Sequence, residues 1–369
     1  MTHRANLARA TFGVNGAGVK IGVLSDGVNS LATLQASGDL PAVTVLPGQA
    51  GSGNEGAAML EIVHDLAPGA QLYFATGFNG IAGFAQNILN LRAAGCDIII
   101  DDILYFGETP FQKGQASNVT STTNGGIVIQ AVNTVAASGA LYFSSAANSG
   151  NKNDNTSGTW EGDFADGGAV GAPISGSGSL HDFDPGAGTT AYNTITSTTA
   201  RPTLFWSDPL GGSSNDYDLF RLNGTGAFVV GASTNVQNGT QDPFEQIFFF
   251  VSSGDRLVIV KRAGAADRFL HLDTNRGLLT FSTAGSTHGH NAPPHPNAFS
   301  VAASPAVGPY PSVFNSTNVV ETFSSDGPRQ YFFNADSSPI TPGNFLASGG
   351  EILLKPDLTA ADGVQTAAP

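Results

Sequence analysis

The stretch GSGNEGAAMLEIVHDLAPGAQLYFA (51–75) joins a Gly/Ser loop, a helix and a strand. Glu55 stands at the mouth of a helix predicted over 55–66, and Pro68-Gly69 stops that helix before the apolar strand 70–76. Upstream, GVKIGVLSDG (18–27) is an apolar run closed by Asp-Gly, the pattern of a buried strand and its turn. Downstream, Ile81, Phe84, Ile88 and Leu91 recur at helical spacing within 80–95, and Gly95 offers the C-terminal cap. CDIIIDDILYF (96–106) predicts a third strand, GGIVIQAVNTVAASG (125–139) another helix, and ALYFSSAANSG (140–150) a fourth strand. Strands alternating with helices predict an α/β fold whose parallel sheet is covered on both faces, with function at the strands' C-terminal ends.

From about Thr159 the texture changes. Segments such as TLFWSDPLGGSSNDYDLFRLNG and FEQIFFFVSSGDRLVIVKRAG show short alternating strands with turn signals and almost no helical period. The expectation is three parts: an N-terminal α/β portion over 1–158, an inserted antiparallel β-sandwich over 159–290, and a return to the α/β portion over 291–369. NAFSVAAS (297–304) and VVETFSSDGP (319–328) supply the short apolar strands of that return.

The 369 residues are long enough for a large core plus an insertion. Hydrophobic residues at 41% and charged residues at 12% exclude a disordered acidic polymer. Acidic residues outnumber basic ones 29 to 15, and the net charge of −14 argues against nucleic acid or anionic lipid as partner. No apolar run approaches the roughly 20 residues that span a bilayer, so membrane insertion is not expected. The 47 glycines, 20 prolines and few lysines suggest a turn-rich, secreted type of protein, although MTHRANLARA has no signal-peptide core. One cysteine, Cys96, excludes an internal disulfide and reads as a small core residue. GVNGAG (13–18) precedes its strand instead of following it, so it fails the context of a dinucleotide-binding loop.

Several stretches together resemble the subtilase superfamily, the subtilisin-like and sedolisin-like serine peptidases. VKIGVLSDG (19–27) looks like the strand that delivers the catalytic aspartate, here Asp26. SSAANSG (144–150) looks like the strand end with the oxyanion-hole asparagine, here Asn148. FSSDGP (323–328) followed by KPDLTAADGV (355–364) looks like the approach to the nucleophile. The resemblance covers about 1–160 and 285–369 and implies a parallel subtilisin-like sheet flanked by helices. Aligned on APGA, the family's histidine base falls on Glu55, and the sedolisin branch places glutamate there. His64 lies at the far end of the same helix, roughly 13 Å away, and reads as a C-terminal residue favoured by the helix dipole.

The resemblance therefore implies that Glu55 is the general base and Asp26 its orienting partner, the two carboxyls sharing a proton and working best in mildly acidic medium. Taken without that context, Glu55 also reads as an N-terminal acid that complements the helix dipole. Two departures stand out: the order is Ser25-Asp26-Gly27, one position later than the family's, and the sedolisin branch's second acid is replaced by Met59. In IIIDDIL (98–104), alternation sends Asp101 and Asp102 to opposite faces, so one of them points to the cleft. Asp102 is the candidate for the missing second acid, with a strand-end carboxylate bonded to backbone amides as the plain alternative.

The histidines of HGHNAPPH (288–295) admit zinc, and Asp216 with Asp218 in NDYDLF (215–220) admit calcium, but neither set is complete in sequence. No metal or other cofactor is required by the expected chemistry, with Ca2+ an optional ion. The family's GTS-x-A-x-P serine motif does not occur before Pro369. The expectation is a partial reading of a longer serine endopeptidase acting on protein and peptide substrates, unable to hydrolyse them alone. The competing expectation is a non-catalytic secreted binding module on the same scaffold.

Overall fold

The computed structural model describes residues 3–306, 313–315 and 317–369. It is a mixed α/β structure whose parallel sheet has seven strands. Five come from the first part of the chain: β1 (Lys20–Ser25), β2 (Val43–Val45), β3 (Gln71–Thr76), β4 (Ile98–Asp101) and β5 (Leu141–Ser145). Strands Ala298–Pro305 and Leu358–Asp362 complete it, in the spatial order β2-β3-β1-β4-β5 followed by 298–305 and 358–362. The described helices are α1 (Ala5–Phe12), α2 (Leu31–Ser37), α3 (Glu55–Leu66), α4 (Ile81–Ala93) and α5 (Ile127–Ala137).

Alternation along β1 explains the two layers. Ile21 and Val23 face Leu34 of α2 and Ala57, Leu60 and Val63 of α3. Leu24 faces the other way, into Phe84, Ile88 and Leu91 of α4 and Val128, Val132 and Val135 of α5. Gly22 shares that second face because a Cβ there would come within 3.0 Å of Leu91 and 3.1 Å of the buried Cys96 sulfur. Two strands are shorter than their sequence suggests, for local reasons. β4 ends at Asp101 because its carboxylate takes the Ile103 amide at 3.1 Å, a side-chain turn that replaces the ladder. β5 ends at Ser145 because Ala147 adopts φ 74°.

Between β5 and strand 298–305 the chain builds two packed antiparallel sheets. One carries strands 159–163, 203–206, 244–246 and 269–273; the other carries 166–169, 178–181, 217–222, 229–233 and 256–262. Trp160, Leu204, Trp206, Leu270 and Leu272 meet Leu219, Leu257 and Ile259 in the core between them. The first sheet is buried on its other face too. There Phe205 and Phe269 pack with Phe111, Phe332 and Phe333 of the α/β body. Phe228, ahead of strand 229–233, and Phe248, Phe249 and Phe250, after strand 244–246, stand in solvent.

One face of the parallel sheet lies open past α3. Phe143 stacks on Phe299 at 5.1 Å with both half-exposed, and Leu141 and Leu358 are exposed. Among the described residues no helix covers this region. A cavity of about 270 Å³ sits there, lined by residues that include Met59, Asp102, Phe143, Val301 and Ala361.

Candidate active site

β1 pairs with β3 on one side and β4 on the other, although the chain visits β2 and β3 before it reaches β4. A crevice opens at such a reversal, at the C-terminal ends of the strands. Ser25 and Asp26 lie at the end of β1, Asp101 and Asp102 at the end of β4, and Glu55 at the first turn of α3.

The loop before α3 is shaped around Asp26. Its Oδ1 accepts the Gly56 amide at 3.1 Å, one of the donors that a helix start leaves unpaired, and also the Gly27 amide. Gly53, at φ 122°, lets that carboxylate nest in the loop; a Cβ there would fall 1.7 Å from Asp26 Oδ2. Asp26 thus caps α3 from a neighbouring strand. Replacing it with alanine is expected to cost about 1 kcal/mol in urea unfolding followed by helical circular dichroism. A change below a few tenths of that would remove the capping role.

Glu55 is held by different neighbours. Ser25 Oγ donates to Glu55 Oε2 at 3.1 Å. Partial burial, then the adjacent Asp102 charge and a hydrogen bond between the two carboxyls, push the Glu55 pKa up to about 6, against the lowering effect of Ser25. Asp26 adds only the smallest upward contribution. Asp102 therefore weighs more on Glu55 than Asp26 does, and Asp26 Oδ1 is taken up by the Gly56 and Gly27 amides. Met59, one turn after Glu55 on α3, lines the cavity together with Asp102.

Asp101 and Asp102 do face opposite ways: Asp101 is buried and Asp102 exposed. Asp101 enters a polar cluster that the sequence reading missed. His290 sits between Asp101, at 3.2 Å, and Glu108, all three side chains being fully buried. Desolvation opposes a charge on His290, but Glu108 and Asp101 outweigh it and raise its pKa to about 10. Ser144 Oγ donates to Asp101 at 2.9 Å. The Asn291 amide then ties Ser144, Ile103 and Ser145 together at 2.8–3.0 Å. This cluster locks the ends of β4 and β5 directly beneath Asp102. Its only sequence signal was Asp101 inside an apolar run, which demanded a partner without naming it.

Asn148 is half-buried just beyond Ala147. Ser325 donates its amide to Ala147 O at 3.0 Å, and its Oγ accepts the Ser149 amide at 2.8 Å, so SSAANSG and FSSDGP adjoin. Among the described residues the Asn148 amide makes no hydrogen bond to Glu55, Asp26 or Asp102. His64 is in the last turn of α3, away from the crevice. The histidines of HGHNAPPH separate: His290 joins Asp101, His288 turns toward the sandwich, and His295 is half-exposed. Asp218 pairs with Arg262, and Asp216 accepts the Gln237 amide at 3.4 Å.

Among solved structures, the chain is similar to the CspB protease of Clostridium perfringens. The TM-score is 0.48 at 12% identity, over 96% of this chain and 77% of that one. No family model matches the sequence, and no curated protein matches it. The chemistry of the crevice rests on its own residues.

Proposed function

We propose that this chain carries the proton-handling half of a secreted serine-type endopeptidase on a subtilase-like scaffold. The observation that carries the reading is the Glu55–Asp102 carboxyl pair, placed at the C-terminal edge of a parallel sheet with Glu55 pushed up to about 6. In this reading Glu55 takes the proton of a serine hydroxyl as that oxygen attacks the peptide carbonyl. It then returns the proton to the departing amine, leaving an acyl-enzyme that water cleaves by the reverse sequence. Asp102 holds the second oxygen pair of the dyad, Ser25 fixes the orientation of Glu55, and Asp26 fixes the helix that bears it. Asn148 supplies the amide donor to the oxyanion, worth roughly 3 kcal/mol of barrier. Proton and acyl transfer of this kind need no cofactor.

No serine among the described residues hydrogen-bonds to Glu55 except Ser25, which is fully buried within β1. The described residues therefore supply a base, its supports and an amide donor, and no nucleophile is assigned among them. Two measurements test the base role. In carboxyl 13C NMR of the chain, Glu55 should titrate near pH 6, and Asp102→Asn should bring it back toward its ordinary 4.5. In any longer product of the same gene that carries a reactive serine, a fluorophosphonate should label that serine, and Glu55→Gln should slow the labelling by roughly 10²–10⁴-fold. Glu55 titrating at its ordinary value regardless of Asp102, or labelling unchanged by Glu55→Gln, removes the base role.

A second reading is a non-catalytic binding module. Phe248, Phe249 and Phe250, a run after strand 244–246 at 68%, 74% and 74% exposure, favour it. A longer product without a reactive serine would leave this reading in place of the first.

A further inference from the structure

Strand 269–273 turns Leu270 and Leu272 into the sandwich core and His271 and Asp273 the other way, toward the α/β body. There they meet His288 from the loop that leads back to the parallel sheet. One nitrogen from each imidazole and one Asp273 oxygen all lie within 4.8 Å of one another. Exposure is 0% for His271 and Asp273 and 1% for His288, so water does not solvate the group from outside.

The remaining polar atoms decide what this cluster presents. His271 Nδ1 lies 2.6 Å from Glu161 Oε1, a carboxylate that also accepts from Arg329. His288 Nδ1 faces the Ser286 carbonyl at 3.4 Å. Both partners are acceptors, so each Nδ1 carries the proton and each Nε2 presents a bare lone pair. Neither Nε2 has a partner in the protein. Asp273 is oriented by Thr159 Oγ1 at 2.9 Å and by the Asn275 amide at 2.5 Å, each of which leaves a lone pair free on its oxygen. Two imidazoles, each with an unpartnered Nε2, thus stand close to one buried carboxylate.

A packing explanation leaves this set unsatisfied. The two rings meet edge to face at 5.0 Å, beside Phe111 and Phe205, as aromatic side chains do. Yet the two Nε2 atoms are left as buried orphans beside a carboxylate, and each orphan costs on the order of 1–3 kcal/mol. Arg329 does not relieve them with its terminal nitrogens, because those are committed to Glu161, Gly285 O and Thr287 O. A divalent cation satisfies both orphaned nitrogens at once and takes a remaining lone pair of Asp273. Two imidazoles and one carboxylate, with a carboxylate behind one imidazole, are a zinc ligand set whose fourth position takes water.

We propose that His271, Asp273 and His288 bind one Zn2+ ion in the seam between the sandwich and the α/β body. The ion joins strand 269–273 to the loop that delivers His290 and Asn291 beneath the crevice. Its place is structural, since no ligand is exposed to a substrate, and its exchange requires local opening of the seam.

The test uses the whole 369-residue chain produced with zinc present and dialysed into metal-free buffer. Elemental analysis should find one zinc per chain, and His271→Ala or His288→Ala should reduce it to none. Zinc returned to chelator-stripped protein should raise its unfolding temperature, because the ion binds only the folded state. Co2+ in place of zinc should give two exchangeable, strongly shifted imidazole N–H proton signals, one from each Nδ1–H, as ligation through both Nε2 atoms requires. A stripped chain that keeps its native circular dichroism and binds neither Zn2+ nor Co2+ overturns the proposal. The unsubstituted chain alone decides this, so the result stands even if a histidine variant fails to fold.

Discussion

Replacing His290 with leucine is expected to destabilise the α/β body by about 3–5 kcal/mol, the cost of leaving buried charge without its partner. The imidazolium is the counter-charge inside a fully buried pocket that also holds Glu108 and Asp101. Without it, two buried carboxylates lose their shared counter-charge. The described helices all belong to this body, whereas both tryptophans, Trp160 and Trp206, lie in the sandwich. Urea unfolding should therefore show the loss mainly in the helical circular dichroism signal and less in tryptophan fluorescence. The pH dependence has a definite sign. His290 rises from its ordinary 6.5 to about 10 in the folded chain, so its contribution is full below about 6.5 and fades as the pH climbs through about 10. The gap between the native chain and His290→Leu should narrow over that interval. Adding Glu108→Gln to His290→Leu should recover part of the loss, as contacting residues do in a double-mutant cycle. A gap that stays flat from pH 7 to 10, or a loss under about 1 kcal/mol, would show that the cluster does not hold these strand ends.

Arg329→Met is expected to cost a similar amount, roughly 3–5 kcal/mol, but to act on both halves of the molecule. Arg329 is fully buried and reaches Glu161 of strand 159–163, Gly285 O and Thr287 O. It is a strut between the sandwich and the returning α/β segment, so both spectroscopic signals should move together. Burial already raises the Glu161 pKa above its ordinary 4.5 even though Arg329 lowers it, and removing the guanidinium releases it further upward. A carboxylate with a raised folded pKa is protonated in both states below about 4.5 and penalises folding only above that. The deficit of Arg329→Met should thus be smallest in acid and grow toward neutrality. Equal deficits at pH 4 and pH 7 would mean that Glu161 finds another partner.

The alternating strands and helices of the first part were legible because their signals are local. Ile81, Phe84, Ile88 and Leu91 repeat at helical spacing, and three of them, Phe84, Ile88 and Leu91, lie in the core exactly where α4 meets the sheet. Helix α2 and strand β2 were not read, because seven and three residues carry too little period. In the crevice, the sequence pointed to Glu55 and Asp102 as separate acids, and the resemblance joined Glu55 to Asp26. In the fold the Asp102 charge weighs more on Glu55 than that of Asp26, which sits on the helix amides, since a one-residue shift along β1 turns Ser25, not Asp26, to Glu55. The partners of Asp101 and of His271 were out of reach. Glu108 and His290 are 182 residues apart, and Glu161 and His271 110, so no spacing rule links them.

Ser145 at the end of β5 lies in register beside Val301 of the returning strand. The chain leaves the sheet after Ser145 and re-enters it on the adjacent parallel strand at Ala298, opposite Tyr142, so everything between is one crossover spliced between neighbouring strands. Lengthening such an excursion adds only about 0.6 kcal/mol of closure entropy per doubling. Evolution can thus trade one module for another at this junction with little burden on the crevice. What limits the exchange is the seam itself: a replacement would need to supply its own answer to Arg329 and to the phenylalanines that bury Phe111.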